Sequence, residues 1–337
     1  MLGDKMNALV SIVIPTTGTR PRLLLRSIET ALAGFQPSEV EVVVVPNGPE
    51  YRWKNAVSSL YDIEGVRICP LEKSSANASR NYGLSLARGL LVRFLDDDDY
   101  LITDVAVKQC YELLEAGADV SSYGIRIEDE FGILFQTLKQ PLVSDFVTAQ
   151  LGASRLQLIH AHLYKKSSIK PLLWNEDYII SEDIAWLHTI ACYKEIYWIK
   201  SDEIVGVWYQ HGGPRLSYAR PSNLPSYITA QSILKTVTSL EEQGRMSIER
   251  RHAAVCGLWL CVHRGFYFSP FYWHKVAINL LQHAPEMRPK TFLFTLPGVA
   301  TINPLLLEWL ILPIRWFIYA FQFIKAMVLG WNPVRRL

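Results

Sequence analysis

The sequence is poor in cysteine, and the five it has, Cys69, Cys110, Cys192, Cys256 and Cys261, are odd in number and scattered. None makes a CxxC pair or a Cys/His cluster with zinc spacing, so reduced thiols in a cytosolic compartment fit best. Charge of one sign is also lacking. The formal net charge is +2 over 337 residues, and no block of Lys or Arg appears that would track a phosphate backbone, which removes nucleic acid as a default partner. The first apolar stretch, Ala8 to Ile14, ends at Pro15 and is too short for a signal peptide, so export is not expected. Apolar residues, by contrast, are plentiful: at 50% hydrophobic content the chain can bury a large core, as one large domain plus an appended unit or as two modest domains.

The first third alternates short apolar runs with helical patterns, the signature of an α/β fold with a mostly parallel sheet covered by helices. Strands are expected over Leu9 to Ile14, Val40 to Val45, Val66 to Cys69 and Leu90 to Leu95, and helices over Pro21 to Leu32, Asn77 to Arg88 and Thr103 to Leu114. Open sheets of this kind bind ligands beyond the carboxyl ends of their strands. The segments just after three of those strands are Pro15-Thr16-Thr17, Pro46-Asn47-Gly48-Pro49 and Asp96-Asp97-Asp98-Asp99, so small polar groups and carboxylates collect on one edge. After Asp119 the pattern becomes hairpin-like, with Asp129 to Gly132 as the turn, before a helix that begins near Ser181.

From about Pro221 the chain reads as helices joined by Pro and Gly, without internal repeat or low-complexity stretch. The expected organisation is therefore a catalytic domain over 1–220, with halves at about 1–100 and 101–220, and a helical region over 221–337. Its last helix, over 304–330, has Asn303 as N-cap, Pro304 at the first helical position and Gly330 at the end. Glu308, Arg315 and Gln322 recur every seventh residue with Lys325 three further on, so the polar groups share one face. That arrangement, with Pro313 inside the helix, predicts a helix lying in a membrane interface rather than spanning it. Trp309, Trp316, Tyr319 and Trp331 would sit at headgroup level, and Arg335 and Arg336 would face anionic lipid. Packing on its own domain is the alternative.

Four consecutive carboxylates repel one another and raise each other's pKa unless a positive group compensates them. A divalent cation is the expected compensator, and oxygen ligands with room left for a diphosphate favour Mg2+ or Mn2+ over zinc. The alternative is a solvated acidic turn, but the apolar run Leu91 to Leu95 directs the carboxylates into the crevice.

These residues together resemble the large inverting glycosyltransferase family two, which has the GT-A nucleotide-sugar fold. The resemblance covers about the first two thirds of the chain. It is carried by Val13-Ile14-Pro15-Thr16-Thr17, by Val42 to Gly48, by Ala78-Ser79-Arg80-Asn81-Tyr82-Gly83-Leu84, and by Phe94-Leu95-Asp96-Asp97-Asp98-Asp99, which matches a DXD-type signature. Ser181-Glu182-Asp183 is similar to the family's Glu-Asp motif, and Trp208-Tyr209-Gln210-His211 with Ser217 to its late His-containing loop. The chain departs from the pattern at Asn47, where many members carry Asp for the nucleoside base, and at Pro49, where Ser is frequent.

The resemblance implies that Pro15, Thr16, Thr17, Asn47, Arg80, Asp96 and Asp97 bind the nucleotide sugar, with a UDP-sugar favoured. It implies Asp98, Asp96 and His211 for Mg2+ or Mn2+, and Asp183 with Glu182 for catalysis. Ser181 is expected to cap its helix, whose dipole would keep Asp183 ionised and ready to accept a proton. Arg80 would steady the pyrophosphate or pair with the acidic run, and Lys73 is read as a surface cation. The implied activity is transfer of a sugar, with inversion, to an acceptor hydroxyl, on a lipid-linked saccharide if the last helix meets the membrane. The implied place is the inner face of the cytoplasmic membrane. Two other classes compete with this one. An Asp-nucleophile phosphatase would also follow a strand with Asp-x-Asp, but such enzymes want Thr or Val where Tyr100 stands. A non-catalytic sugar-nucleotide-binding membrane protein would not need the Glu182-Asp183 pair.

Overall fold

The computed structural model describes residues 8–152, 158–212, 222–289 and 291–329. The chain forms two compact units, one of Met1–Phe146 with Ser154–Gly212 and the other of Val147–Ala153 with Gly213–Leu337.

In chain order the first unit holds β1 (Val10–Thr16), α1 (Pro21–Leu32), β2 (Val40–Pro46), α2 (Glu50–Val57), β3 (Val66–Ile68), α3 (Ala76–Leu86), β4 (Leu91–Phe94), β5 (Tyr100–Leu101), α4 (Thr103–Ala116), β6 (Val120–Asp129) and β7 (Leu134–Leu138). The chain passes into the second unit within α5 (Phe146–Leu151) and returns for β8 (His162–Lys165), α6 (Lys166–Ile169), α7 (Glu182–Tyr193) and β9 (Trp198–Gln210). The strands form one sheet in the order β3-β2-β1-β4-β8-β6-β9-β5, with β7 paired to β6. β3, β2, β1 and β4 run parallel, and β8 enters antiparallel to both β4 and β6.

β1, β2 and β4 are buried along their whole length, which is why they read as runs of Val, Ile and Leu rather than as alternating patterns. α1 covers the sheet with Leu24, Ser27, Ile28 and Ala31, the spacing of one helical face. α3 starts at Ala76, one residue earlier than the sequence suggests, because the Ser75 hydroxyl accepts the Ala78 N–H at 3.2 Å and so caps it. Gly83 lets α3 lie directly on β1, since a Cβ there would meet Val13 Cγ1 at 2.3 Å. The chain crosses from β3 to β4 over β1, so a crevice opens beyond the carboxyl ends of β1 and β4.

At the opposite end of these strands Glu41 is buried and accepts three hydrogen bonds, from Ser11 Oγ at 2.6 Å, Arg67 Nη1 at 2.7 Å and the Arg88 N–H at 2.5 Å. Burial raises its pKa, but these partners outweigh that and hold it below the usual carboxylate range.

The second unit contains α8 (Leu224–Glu242), α9 (Ile248–Gly265), α10 (Pro270–His283), α11 (Phe292–Thr295) and α12 (Pro304–Leu329). Asn303 Oδ1 accepts the N–H groups of Leu305 and Leu306 at 2.9 and 3.3 Å, which caps α12 where the sequence suggests. Two polar residues of α12, Glu308 and Arg315, are taken up within the unit. Glu308 is fully buried and binds His263 Nδ1 of α9 at 2.6 Å and Arg315 Nη1 at 3.2 Å, while Arg315 also donates to the His263 carbonyl. Glu308 has these partners because a buried carboxylate needs them within the fold. The exposed side of α12 is apolar: Leu306, Leu310, Ile314, Phe317, Phe321 and Ile324, spaced three or four apart on one face, with Trp316 and Ile318 beside them. By length and composition the stretch Pro304–Phe321 is also apolar enough to cross a membrane, and 22% of it is buried. Gly330, Trp331, Arg335 and Arg336 lie outside the described residues.

Replacing Glu41 with Gln should cost about 2 kcal/mol at neutral pH, the scale of a charged hydrogen-bond network. Because the folded-state pKa is depressed, this contribution is present above the unfolded carboxylate pKa and disappears as pH falls through the lower folded value. Urea unfolding of wild type and Glu41→Gln at neutral and acid pH should show the gap closing on acidification; a constant gap would contradict it.

Candidate active site

The end of β4 is pinned to β1 by the Leu95 N–H, which donates to the Val13 carbonyl at 3.0 Å. Asp96 to Asp99 then turn, with the Asp99 N–H reaching the Asp96 carbonyl at 3.2 Å, so the carboxylates fan out at the crevice instead of continuing the strand. Thr16, the last residue of β1, donates to Asp97 Oδ2 at 2.5 Å. Arg20, just before α1, reaches two carboxylates at once: Nη2 to Asp97 Oδ1 and Nη1 to Asp98 Oδ2, each at 2.6 Å. His211, just after β9, has Nε2 3.0 Å from Asp98 Oδ2. Arg80, on α3, holds Asp96 Oδ1 at 2.9 Å.

Asp97 and Asp98 are buried, and Asp96 is the carboxylate that opens toward solvent, with 38% of its side chain exposed. Burial, opposed by Arg20 and aided by Asp98, pushes the Asp97 carboxyl up to about 6. Burial also works against a charge on Arg20, but Asp97 and Asp98 outweigh it and raise its pKa.

Asp99 has a different task. Its Oδ1 accepts the Tyr209 N–H at 2.9 Å, its Oδ2 lies 3.4 Å from His160 Nδ1, and its carbonyl accepts the Ser27 hydroxyl. Burial and the nearby Arg93 push His160 down to about 3, so it stands there as a neutral imidazole. Arg26 lies between the rings of Tyr100 and Tyr209, 4.3 and 3.9 Å from their centroids, and donates to the Asp98 carbonyl at 3.0 Å. These contacts fasten the end of β9, and with it His211, onto the acidic turn.

On the other flank Arg80 is buried against the Trp174 ring at 4.6 Å, and its Nη1 lies 3.7 Å from Glu182 Oε1. One guanidinium thus links the acidic turn to the first residue of α7. Asp183 is next in the chain, with Oδ1 enclosed and without a hydrogen-bond partner. Burial and the neighbouring Glu182 raise its pKa well above the carboxylate range, and Arg80 only partly opposes this. The helix dipole expected to keep Asp183 ionised is thus opposed by burial and by Glu182, which favour the protonated form. Ser181 does not cap α7 either. Its backbone is left-handed, at φ 57°, and its side chain makes no capping bond.

Comparison with known proteins agrees with this geometry. Residues 11–165 match the model of glycosyl transferase family 2. These residues belong to that family. The chain is similar to the GalNAc(5)-diNAcBac-PP-undecaprenol beta-1,3-glucosyltransferase of Campylobacter jejuni, 23% identical over 283 residues that cover 80% of this chain and 84% of the relative. It is also similar to an uncharacterized glycosyltransferase of Methanocaldococcus jannaschii, 23% identical over 57% of this chain and 68% of that protein. Among solved structures, S. aureus TarS in complex with UDP-GlcNAc shares the fold with a TM-score of 0.58 at 19% identity, covering 82% of each chain. The mannosyltransferase PcManGT from Pyrobaculum calidifontis, in complex with GDP-Man and Mn2+, does so with a TM-score of 0.52 at 15% identity, covering 98% of this chain and 84% of that one. The fold is therefore the GT-A type, and the protein is a glycosyltransferase.

Within this glycosyltransferase the structure gathers Thr16, Arg80, Asp96, Asp97, Asp98, Glu182, Asp183 and His211 around one crevice. Asn47 sits beside them, but its side-chain amide is committed to the Thr16 carbonyl at 3.0 Å. Pro15 is buried within β1, and Thr17 is exposed and bonded to Thr19 instead. Lys73 pairs with Glu176 at the surface, and Ser217 lies outside the described residues. Missed from the sequence were Arg20, Arg26 and His160. Arg20 in Thr-Gly-Thr-Arg, directly after the first strand, was the one legible signal. The expected compensator of the run is also qualified, because arginine side chains already neutralise much of its charge. A cation still fits. Single oxygens of Asp96, Asp98 and Asp99 lie within 4.8 Å of one another, an oxygen-donor set suited to Mg2+ or Mn2+. With Asp99 engaged by Tyr209 and His160, and Asp98 buried against Arg20 and His211, Asp96 is the carboxylate of the three that opens toward solvent.

Asp99→Ala should lower stability by about 2 kcal/mol, because the Tyr209 N–H loses its acceptor. The loss should be the same with and without Mn2+ when read by urea unfolding; a loss seen only with the ion would make Asp99 a ligand instead.

Proposed function

We propose that the protein is an inverting glycosyltransferase that moves a sugar from a nucleotide-diphosphate donor, UDP-linked by preference, onto a hydroxyl of a lipid-linked saccharide. The observation that carries this reading is the Arg80 bridge between Asp96 and Glu182, which brings a base candidate, Asp183, to the edge of the acidic turn. Thr16, Asn47, Asp97 and Arg80 line the donor side, and Asp96 and Asp98, with His211 beside them, would hold Mg2+ or Mn2+. Bound there, the ion would supply positive charge against the negative charge of the departing diphosphate.

Asp183 takes the proton of the acceptor hydroxyl. The acceptor oxygen forms its bond to the anomeric carbon from the face opposite the diphosphate, whose oxygen leaves with the bonding electron pair. The raised proton affinity of Asp183 makes its ionised form a stronger proton acceptor than an ordinary carboxylate. Glu182 keeps Arg80 in place and adds to that affinity. The donor half lies at about 1–100 and the acceptor half at 101–220, and the chain after 221 serves attachment.

The acceptor class draws on the Campylobacter relative, whose name places its substrate on a PP-undecaprenol carrier. It also draws on α12, whose exposed apolar face suits the interface of a membrane, with the buried Glu308 cluster holding the helix to its own unit. The proposed location is the inner face of the cytoplasmic membrane.

Asp183→Asn should reduce transfer at least a thousandfold while binding of UDP-sugar with Mn2+, measured by calorimetry, survives; normal turnover would remove Asp183 from the reaction. Because the base must be ionised, wild-type kcat/KM should fall on acidification at a pH above the ordinary carboxylate range. Placing Glu at both Phe317 and Phe321 should reduce co-sedimentation with anionic lipid vesicles about tenfold or more, at roughly 1 kcal/mol for each apolar anchor lost. Unchanged partition would remove α12 from membrane attachment.

A further inference from the structure

Three guanidiniums surround the acidic turn, and they are held differently. Arg80 is 3% exposed and lies on Trp174, and Arg26 is clamped between Tyr100 and Tyr209. Arg20 sits on the short loop that contains Gly18, whose φ of +73° is in the left-handed region, and a quarter of its side chain is exposed. It reaches the turn end-on, through Nη1 and Nη2 alone. Its Nε, like those of Arg26 and Arg80, is enclosed without an acceptor among the described residues, so what sets Arg20 apart is its loop position and its exposure.

The place Arg20 occupies is contested. Its Nη1 takes the Asp98 oxygen that also faces His211, and lies 3.4 Å from His211 Nε2. A divalent ion bound at about 2.1 Å from that oxygen cannot share it with a guanidinium, on grounds of both space and like charge. Without some cation, however, the buried Asp97 and Asp98 would face each other uncompensated. Arg20 and a metal ion are thus alternative answers to the same electrostatic demand.

We propose that Arg20 is the resident counter-ion of the acidic turn in the metal-free protein, and that it swings from Asp98 to the donor's diphosphate when the divalent ion binds. Metal and nucleotide then bind cooperatively through this one side chain: the ion releases the guanidinium, and the diphosphate gives it a new anionic partner. By linkage the nucleotide tightens the ion as much as the ion tightens the nucleotide. The inference rests on the reading of Asp96 and Asp98 as a cation site.

The test is a binding cycle on the full chain, with free Mn2+ read by electron paramagnetic resonance, for wild type and Arg20→Gln, each with and without UDP. Arg20→Gln should bind Mn2+ alone about tenfold more tightly than wild type, and the tightening of Mn2+ by UDP should shrink by about the same factor. Metal-free Arg20→Gln should also melt below metal-free wild type, with Mn2+ narrowing the gap. A merely structural role for Arg20 would lower both melting temperatures alike and leave Mn2+ affinity unmoved, which would overturn the proposal. Equal Mn2+ affinity and equal UDP coupling in the two proteins would likewise overturn it while leaving the cation site standing. Absence of Mn2+ binding to either protein would remove the cation reading itself, and the proposal with it. Should Arg20→Gln fail to fold, Arg20→Lys, which cannot span both carboxylates, should show the same changes in smaller degree, and wild-type values in it would count against the proposal.

Discussion

Four carboxylates crowded at the end of a buried parallel strand are the constraint to which the rest of the first unit answers. Like charges at this spacing are tolerable only if positive groups meet them from several directions. α1 and the loop before it supply Arg20 and Arg26, and α3 supplies Arg80. The far end of β9 is drawn back to the same place by the Tyr209 N–H on Asp99, which is what brings His211, more than a hundred residues away in sequence, to Asp98. The crevice is assembled by charge as much as by apolar packing.

The same demand is met on one flank by an enclosed cation and on the other by a cation at the edge of solvent. Arg80 is enclosed by Trp174 and ties Asp96 to Glu182, so the relation between the acidic turn and the start of α7 is set by a buried side chain. Arg20 reaches its carboxylates from a loop at the edge of solvent. The buried Asp183, with its raised proton affinity, follows Glu182 directly and so lies on the enclosed flank. In the second unit, Glu308 shows a related logic: one buried carboxylate with His263 and Arg315 fastens α12 through its polar face and leaves the apolar face outward.

Much of this was legible in the chain. The acidic run, the Glu182-Asp183 pair and the Trp208 to His211 stretch are contiguous, so their chemistry shows in a linear reading, and the bounds of α1 and the start of α12 follow from Pro21 and from Asn303-Pro304. The failures share a cause. Ser181 has the residue type of a cap, but its backbone is left-handed and its side chain makes no capping bond. The helix position of Asp183 favours its charged form, but burial and Glu182 favour the neutral one, and burial is not visible in local order. Arg26 and His160 carry no local pattern, since their partners Tyr209 and Asp99 come from distant segments.

The sequence by itself determined the α/β class, the buried parallel strands and the carboxylate-rich edge, because hydrophobic periodicity and residue type act over a few neighbouring positions. Only the tertiary structure decided which cations meet which carboxylates, how far burial raises the proton affinity of Asp183, and which face of α12 remains outside. Those outcomes depend on distances between segments far apart in the chain and on the exclusion of water, and neither is written in local order.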